Sequence, residues 1–310
     1  MKRGIMDASS VPKKANECFI GQRIVLPAEL FGQYWVSGET SLLFGPPGTG
    51  KSVLAVQIGD ALARGRPIDG IDGPTRRHKV LYADLTHSDV QFQTRYSRFS
   101  ETGLYLRSFR FAERFYRGRP SVDEEPFDWL RARLAGDRFE VVIVDDITAF
   151  RRTRDGAGEA AELMRRLCRL RDEFRVSMLV LAPSDAPPRD RPISEVQLRR
   201  SRSLLAAADR AFALDPLPEH PDKKRLTGIR NCGGRKSRGS DFVPAGSTKQ
   251  RNDGMVAFCF NEHRVSRLEP ATRELVRRIT DLRQNGTTFR QIAKELQISK
   301  TRAARLAAKG

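Results

Sequence analysis

The chain has 310 residues, of which 39% are hydrophobic and 30% are charged, so it can bury a sizeable core beneath a charged surface. It contains no apolar run of about 18 residues and no apolar leader near its start, which argues against a membrane span and predicts a cytoplasmic protein without membrane partners. Its four cysteines are widely spaced and form no Cys-x-x-Cys pair, which argues against a zinc ribbon or a disulfide framework.

Basic side chains outnumber acidic ones by 56 to 38, and most of the excess lies in the C-terminal third. Residues 222–310 carry a net charge of +13, whereas residues 1–221 carry +5. A strongly basic segment joined to a region of lower net charge is typical of proteins that bind nucleic acid. The alternative explanation is an arginine excess that reflects only codon usage. The charge is concentrated beside a candidate DNA-binding module, which favours nucleic-acid binding over that explanation.

Strand and helix patterns alternate along the first two thirds of the chain. A polar stretch, 1–20, is expected to be a flexible arm. Short apolar runs predict buried strands, and an apolar helical pattern follows several of them; the strands are expected at 41–44, 79–83, 141–144, 178–181 and 211–214. This alternation predicts an α/β fold with a parallel-centred sheet covered on both faces. Two segments rich in Pro, Gly, Ser and Arg, 183–203 and 231–253, are predicted to be loops.

The segment 45–52 matches the phosphate-binding pattern G-x-x-x-x-G-K-[ST] at every position, between a predicted strand and a predicted helix. Backbone N–H groups of such a loop surround phosphate oxygens, and the helix start adds a positive dipole end. Lys51 would reach the terminal phosphates, and the Ser52 hydroxyl would bind Mg²⁺. The pattern therefore predicts ATP and Mg²⁺ as ligands. The predicted nucleotide-binding residues are Gly45, Pro46, Pro47, Gly48, Thr49, Gly50, Lys51 and Ser52.

Two aspartates, Asp145 and Asp146, end the predicted strand 141–144. In P-loop enzymes a carboxylate at this position holds Mg²⁺, and we assign that role to Asp145. Hydrolysis also needs a group that orients or deprotonates the attacking water. The candidates are Asp146 and Asp84, which ends the second predicted strand; either is alternatively a surface or capping carboxylate. Lys51, Asp146 and Asp84 are thus the candidate catalytic residues.

Together the P-loop, the segment 81–97 and the strand ending in Asp145 and Asp146 resemble the RecA-like ATPases of the RepA type, which are ring-forming ATPases and replicative helicases of plasmids and other mobile elements. The resemblance covers roughly residues 20–270. It implies a RecA-like P-loop NTPase core that binds ATP between subunits of a homo-oligomer, a ring or a filament.

The chain departs from that family at three positions. Thr86 aligns with the family's catalytic Glu, and Pro183 stands where many members have His. The basic finger that enters the neighbouring subunit's nucleotide is represented by Arg230, with Cys232 at its second position. Loss of a general base commonly costs about 10²–10⁴ in rate, so we expect weakened hydrolysis. A hydrolysis-deficient, ATP-gated DNA-binding regulator is the alternative function, and a small-molecule kinase is a more distant one.

The resemblance also implies arginine-rich loops that bind single-stranded DNA in a central pore. Guanidinium groups in such loops contact the phosphate backbone without reading sequence. A solvated loop without a ligand is the alternative. The predicted contacts are Arg151, Arg152, Arg154, Arg199, Arg200 and Arg202.

The C-terminal segment, 269–310, has the pattern of three short helices. Thr288 lies three residues before Gln291, a capping-box spacing that starts the second helix. The segment resembles the helix-turn-helix of resolvase-type and sigma-like DNA-binding domains, although Gln297 stands where the turn usually has Gly. A three-helix cap on the ATPase body is the alternative. The residues expected in the major groove of double-stranded DNA are Lys300, Thr301, Arg302 and Arg305.

We therefore expect an arm at 1–20, a RecA-like core at 21–230, a basic linker with the terminal strands of the core at 231–268, and an all-α helix-turn-helix module at 269–310. These features predict an ATPase that acts in replication or transposition of a plasmid or mobile element. Such a protein is also a candidate DNA helicase.

Overall fold

The computed structural model describes residues 27–150, 157–188, 193–198, 202–217, 220–231, 242–266 and 270–307. The expected arm at 1–20 lies outside them. In chain order the strands are β1 (Glu29–Phe31), β2 (Trp35–Val36), β3 (Thr40–Gly45), β4 (Val80–Asp84), β5 (Ser97–Phe99), β6 (Tyr105–Ser108), β7 (Phe115–Gly118), β8 (Val141–Asp145), β9 (Ser177–Pro183), β10 (Arg210–Leu217), β11 (His220–Arg230), β12 (Phe242–Gln250) and β13 (Val256–Ser266). The helices are α1 (Lys51–Arg64), α2 (Asp89–Arg95), α3 (Pro126–Gly136), α4 (Ala157–Phe174), α5 (Arg202–Ala207), α6 (Pro270–Gln284), α7 (Phe289–Glu295) and α8 (Lys300–Ala307).

Nine of the strands form one sheet, in the order β13-β12-β11-β10-β3-β9-β8-β4-β7. The strands from β10 to β7 are all parallel, whereas β11, β12 and β13 continue the sheet in antiparallel pairs. This is the predicted α/β fold with a large, mostly parallel central sheet. Strand β9 separates β3 from β8, so the loops that follow β3 and β8 open a crevice at the carboxyl edge of the sheet, where α/β proteins bind ligands.

Alternating side chains of the parallel strands pack against helices on both faces. Leu42 and Phe44 of β3 join a hydrophobic cluster with α3, α4 and α5. Leu43, between them, points into a second cluster with α1 and the short β1–β2 pair. Strands that are buried on both faces read as continuous apolar runs, which is why 141–144 and 178–181 were recognisable as strands in the sequence.

Two segments differ from the loops that the sequence pattern predicts. Within 231–253, β12 pairs with both β11 and β13 as part of the main sheet. The sequence of β12 contains small and polar residues, such as Gly246 and Ser247, and does not alternate apolar with polar positions. The pattern that predicts a strand is therefore absent from this segment. Within 183–203, Ile193 and Leu198 are buried in the core around a short 3₁₀ turn.

The last three helices enclose a small hydrophobic cluster of their own, formed by Val276, Ile279, Ile292, Ala303 and Leu306. The predicted capping box is present: the Thr288 side chain accepts from the Gln291 N–H, and the Gln291 side chain accepts from the Thr288 N–H. Gln297 has φ of +53°, the left-handed conformation that the expected turn requires. The Ser299 hydroxyl accepts from the Arg302 N–H at 3.1 Å and caps α8.

None of the described helices is long and apolar enough to cross a membrane.

Candidate nucleotide site

The phosphate-binding loop joins the carboxyl end of β3 to the first turn of α1. Gly48 and Gly50 have φ of +75° and +91°, a conformation that Gly adopts without the steric penalty of a Cβ. A Cβ at Gly50 would lie 2.9 Å from Cζ of Phe258 on β13, so this strand forms a wall behind the loop. The backbone geometry of residues 45–52 is therefore that of a phosphate cradle.

Lys51 lies inside this loop, where its Nζ donates to the carbonyl oxygens of Gly45 (2.8 Å) and Pro46 (3.0 Å). Burial lowers the pKa of Lys51, and the nearby charges of Asp146 and Asp145 offset part of this effect. Its direct hydrogen-bond partners are neutral, so a bound phosphate would supply the anion that this ammonium group lacks.

Asp145, at the end of β8, is 2% exposed and accepts hydrogen bonds from the Ser52 hydroxyl and from the Tyr82 hydroxyl, the latter at 2.5 Å. Burial raises the pKa of Asp145, and the hydrogen bonds from Tyr82 and Ser52 oppose that rise. A hydroxyl and a carboxylate are oxygen ligands of the kind that Mg²⁺ takes in nucleotide sites. Ser52 and Asp145 thus fit a Mg²⁺ ion, and they are the two residues that the sequence indicates for it.

Asp84 ends β4 beside Asp145 and is fully buried. It accepts hydrogen bonds from Arg117 Nε (2.9 Å) and from the His87 backbone N–H (3.0 Å), and lies 3.0 Å from His87 Nδ1. Burial alone would raise the pKa of Asp84, but the hydrogen bonds from His87 and Arg117 hold it below its ordinary value. Asp84, His87 and Asp145 are close enough to hold a metal ion together. The Arg117 guanidinium already neutralises Asp84, however, which leaves Asp145 as the better ligand.

Asp146 follows Asp145 and is partly exposed. Its Oδ1 accepts from the Thr148 backbone N–H at 2.8 Å and from the Thr148 hydroxyl. Of the two candidate bases, Asp146 faces solvent near the Lys51 end of the site, whereas Asp84 is enclosed by an ion pair. The geometry therefore favours Asp146 for contact with water.

The positions at which the sequence differs from the RepA-type pattern are not gathered in one part of the structure. Thr86 is exposed, and its hydroxyl lies 3.0 Å from His87 Nδ1. Pro183 ends β9 and pairs with Gly45 at the start of the P-loop. Arg230 pairs with Ala211, near the amino-terminal end of β3, and its guanidinium donates to the Leu205 carbonyl. It is therefore remote from the phosphate loop of its own chain. Cys232 lies outside the described residues.

Some of the candidate DNA-binding residues lie in the described part of the chain, and others do not. Lys300, Thr301, Arg302 and Arg305 are all exposed on α8, whereas Ala303 and Leu306 of the same helix are buried. Arg202 begins α5. Arg151, Arg152, Arg154, Arg199 and Arg200 lie outside the described residues.

Three side chains of the site were not found from the sequence. Tyr82 holds Asp145, while His87 and Arg117 hold Asp84. Tyr82 and His87 lie in the segment that carries the family resemblance, Tyr82 within the second predicted strand and His87 just after it, and that position was a signal. Arg117 comes from β7, which no apolar run in the sequence indicated, and only the parallel pairing of β7 with β4 brings it to the site.

Residues 16–182 match the family model described as an AAA domain, and because this is more than half of the chain, the chain belongs to that family. It is thus a nucleotide-binding P-loop protein of the AAA-type ATPase class. No curated protein sequence matches it significantly.

Several solved structures are similar to the chain at low sequence identity. A KaiC-like protein from the hyperthermophilic archaeon Pyrococcus horikoshii OT3 is 15% identical, over 73% of this chain and 91% of that one, with a TM-score of 0.47. The RadB recombinase is 20% identical, over 72% and 91%, with a TM-score of 0.44. A third structure, that of an ATPase domain, is 12% identical, over 71% and 84%, with a TM-score of 0.49.

Proposed function

We propose that this protein hydrolyses ATP and binds DNA, and that it acts as a RepA-like motor in replication or transposition of a plasmid or mobile element. The observation that carries the ATPase proposal is the convergence of Lys51, Ser52 and Asp145 around a phosphate cradle at the carboxyl edge of the sheet. The family resemblance and the basic charge of the C-terminal third support the DNA partner.

In this proposal each side chain has one task. The backbone N–H groups from Gly48 to Ser52 bind the β- and γ-phosphates, because Pro46 and Pro47 have no N–H. Lys51 exchanges its carbonyl contacts for phosphate oxygens. Ser52 and Asp145 hold Mg²⁺, which neutralises charge on the phosphates when it is bound. Asp146 orients the attacking water and accepts its proton. Tyr82 and the Arg117–Asp84 pair are positioning groups, because they fix Asp145 and the end of β4.

The DNA proposal has two parts. Single-stranded DNA would be held by the arginine-rich segments 151–154 and 199–202 of the core. Double-stranded DNA would be held by α8 of the C-terminal helices, through exposed Lys300, Thr301, Arg302 and Arg305. A homo-oligomer, ring or filament, would bring Arg230 of one subunit towards the nucleotide of the next.

A second function is an ATP-gated DNA-binding regulator that hydrolyses little ATP. The observation that favours it is Thr86, a neutral side chain whose hydroxyl is engaged with His87 at the position where the family has its catalytic Glu. In that case nucleotide binding alone would change the assembly or the DNA affinity of the protein.

Steady-state ATP turnover with and without single- and double-stranded DNA separates the two functions, with Lys51→Ala as the blank. Turnover above the blank that DNA stimulates supports the motor. Asp146→Asn should then lower turnover about 10²-fold or more without loss of ATP affinity, as removal of a base does. Nucleotide binding without turnover above the blank supports the regulator and excludes the motor.

A further inference from the structure

Five arginines surround an open cleft of about 600 Å³ beside the C-terminal end of α1. They come from three separate segments of the chain, and the carboxylate that lines the cleft with them in the described structure is that of Glu113. The cleft lies at the far end of α1 from the phosphate loop, so it is distinct from the nucleotide site. Its arginines are Arg64, Arg66, Arg77, Arg110 and Arg114.

Most of these guanidinium groups have no anionic partner in the part of the chain that the structure describes. Arg64 pairs with Asp60 at 2.7 Å and donates to the Arg110 carbonyl. The side chains of Arg66, Arg77, Arg110 and Arg114 are exposed and form no ion pair with any other described residue. Like charges gathered around one cleft repel each other, and an anion with several charged groups would relieve that repulsion.

A hairpin made of β5 and β6 adjoins this cleft. A second cavity, of about 810 Å³, shares Arg64, Arg66 and Arg110 with the first. Its lining also includes Arg107 and Ser108 of β6 and the carboxylates of Asp60, Asp69 and Asp253. Arg98 and Arg107 face each other across the hairpin, and both donate to neutral oxygens of Asn252. Like charges directly opposite each other destabilise a strand pair, so this position too would gain from an anion.

The hairpin also exposes apolar and aromatic side chains. Phe99 and Tyr105 are 43% and 57% exposed, and they contact each other edge to face across the two strands with ring centroids 6.1 Å apart. Leu104 and Leu106 beside them are 69% and 55% exposed. Large apolar groups clustered on a surface mark a place where something binds.

We propose that the β5–β6 hairpin and the arginine cleft form one surface for single-stranded nucleic acid, with bases stacked on Phe99 and Tyr105 and phosphates held by the arginines. The proposal deepens the DNA-binding part of the proposed function by adding a surface outside the arginine loops and α8. A duplex keeps its base faces stacked inside, so exposed rings favour a single strand. An apolar protein partner would cover the guanidinium groups without supplying anions.

The first test is fluorescence anisotropy of the full chain with labelled oligothymidine and with a duplex of equal length. Phe99→Ala combined with Tyr105→Ala should weaken oligothymidine binding about 30-fold or more, because two base–aromatic stacks of at least about 5-fold each are removed, and should change duplex binding little. Tyr105→Phe keeps the ring and should retain the affinity. Both side chains are exposed, so the variants should keep the fold, which a denaturation curve checks.

The second test removes charge from the cleft. Arg77→Ser with Arg114→Ser should weaken oligothymidine binding and reduce the slope of log affinity against log salt by about 1.4, at about 0.7 for each phosphate that is no longer neutralised. The matched control is Arg131→Ser with Arg169→Ser, which removes the same charge from exposed positions on α3 and α4. An equal loss of affinity in the control would show that net charge alone is responsible, and the proposal would be wrong.

Further outcomes also overturn the proposal. These are no binding of oligothymidine by the unmodified chain, equal effects on duplex and single strand, or an aromatic variant that changes the sedimentation of the protein but not its affinity for oligothymidine. The last result would make the hairpin a contact between copies of the chain. ATP turnover without DNA, measured on the same variants, tests the ATPase proposal separately, because neither set of residues touches the nucleotide site.

Discussion

Helix α1 connects two regions whose charged side chains differ in burial and in hydrogen bonding. At its start, Lys51, Asp145 and Asp84 are buried or half-buried, and hydrogen bonds fix each of them in one position. At its end, Arg66, Arg77, Arg110 and Arg114 are exposed around an open cleft. Preorganised charge suits a site that must place one phosphate chain and one ion accurately. Exposed guanidinium groups suit a flexible polyanion that can be bound in many registers.

The same comparison teaches how each region contributes to stability. Removing a partner from a buried ion pair leaves an uncompensated charge in a poorly solvated place, at a cost of about 3–5 kcal/mol. Removing an exposed arginine that repels its neighbours costs little. Substitutions at both ends of α1 measure that difference.

The largest effect is expected for Lys51→Ala. In the proposed mechanism the Lys51 ammonium group stabilises charge on the transferred phosphoryl group, so its loss should lower ATP turnover by at least about 10²–10³-fold. The affinity for oligothymidine should stay within a factor of about two, because binding energy there follows phosphate contacts elsewhere. Turnover assays and anisotropy measure the two quantities. Loss of both would show that the two ends of α1 do not act independently.

Arg117→Met should destabilise the fold by about 3 kcal/mol, because Asp84 would remain buried without its ion pair. Urea denaturation gives the free energy of unfolding. The matched variant is Arg77→Ser at the cleft, for which we expect a change within about 0.5 kcal/mol. Similar values for the two variants would remove the contrast between the regions.

Glycine substitutions on either side of α1 should have the next largest effects. Gly65 ends the helix with φ of +68°, and a Cβ there would lie 2.7 Å from the Arg76 carbonyl carbon. Gly65→Ala should therefore cost about 1–3 kcal/mol and weaken oligothymidine binding by moving Arg76 and Arg77. Gly48→Ala has the same backbone strain without a steric neighbour. It should lower ATP affinity instead, which a fluorescent ATP analogue measures.

The smallest effect concerns pH. His78 is buried beside the cleft, and burial together with the charges of Arg76 and Arg114 lowers its pKa from the ordinary value of 6.5, against the opposing charge of Glu140. The folded chain therefore binds fewer protons than the unfolded one, and the free energy of unfolding should fall as pH falls below 6.5. The contribution is at most about 1.4 kcal/mol per pH unit.

The control for that prediction is His78→Gln, which carries no titrating ring. Urea denaturation of both proteins at several pH values gives the difference curve. A curve that is flat from pH 7 down would mean that His78 titrates equally in the folded and unfolded chains.

Features coded by neighbouring residues could be predicted from the sequence. The P-loop, the aspartates that end β4 and β8, and the Thr288 capping box each depend on a few adjacent positions, and the structure has them all. The α/β fold followed from apolar runs of the right length. In each case the physical cause lies within one element.

Features made by distant segments could not be predicted. Arg117 reaches Asp84 only because β7 pairs with β4, and the arginine cleft gathers residues from α1, the segment before β4 and the segment before β7. Strand β12 has little apolar alternation and exists because β11 and β13 supply hydrogen bonds on both sides. The sequence contains these residues but not the pairings that bring them together.

The contact between Gly50 and Phe258 has a consequence for the order in which the protein is made. Gln57 of α1 also exchanges two hydrogen bonds with the backbone of Phe258, so β13 closes the wall behind the phosphate loop. A ribosome synthesises the loop early and this strand more than two hundred residues later. The nascent chain therefore has the signature of a nucleotide-binding protein long before it has the complete wall of its site.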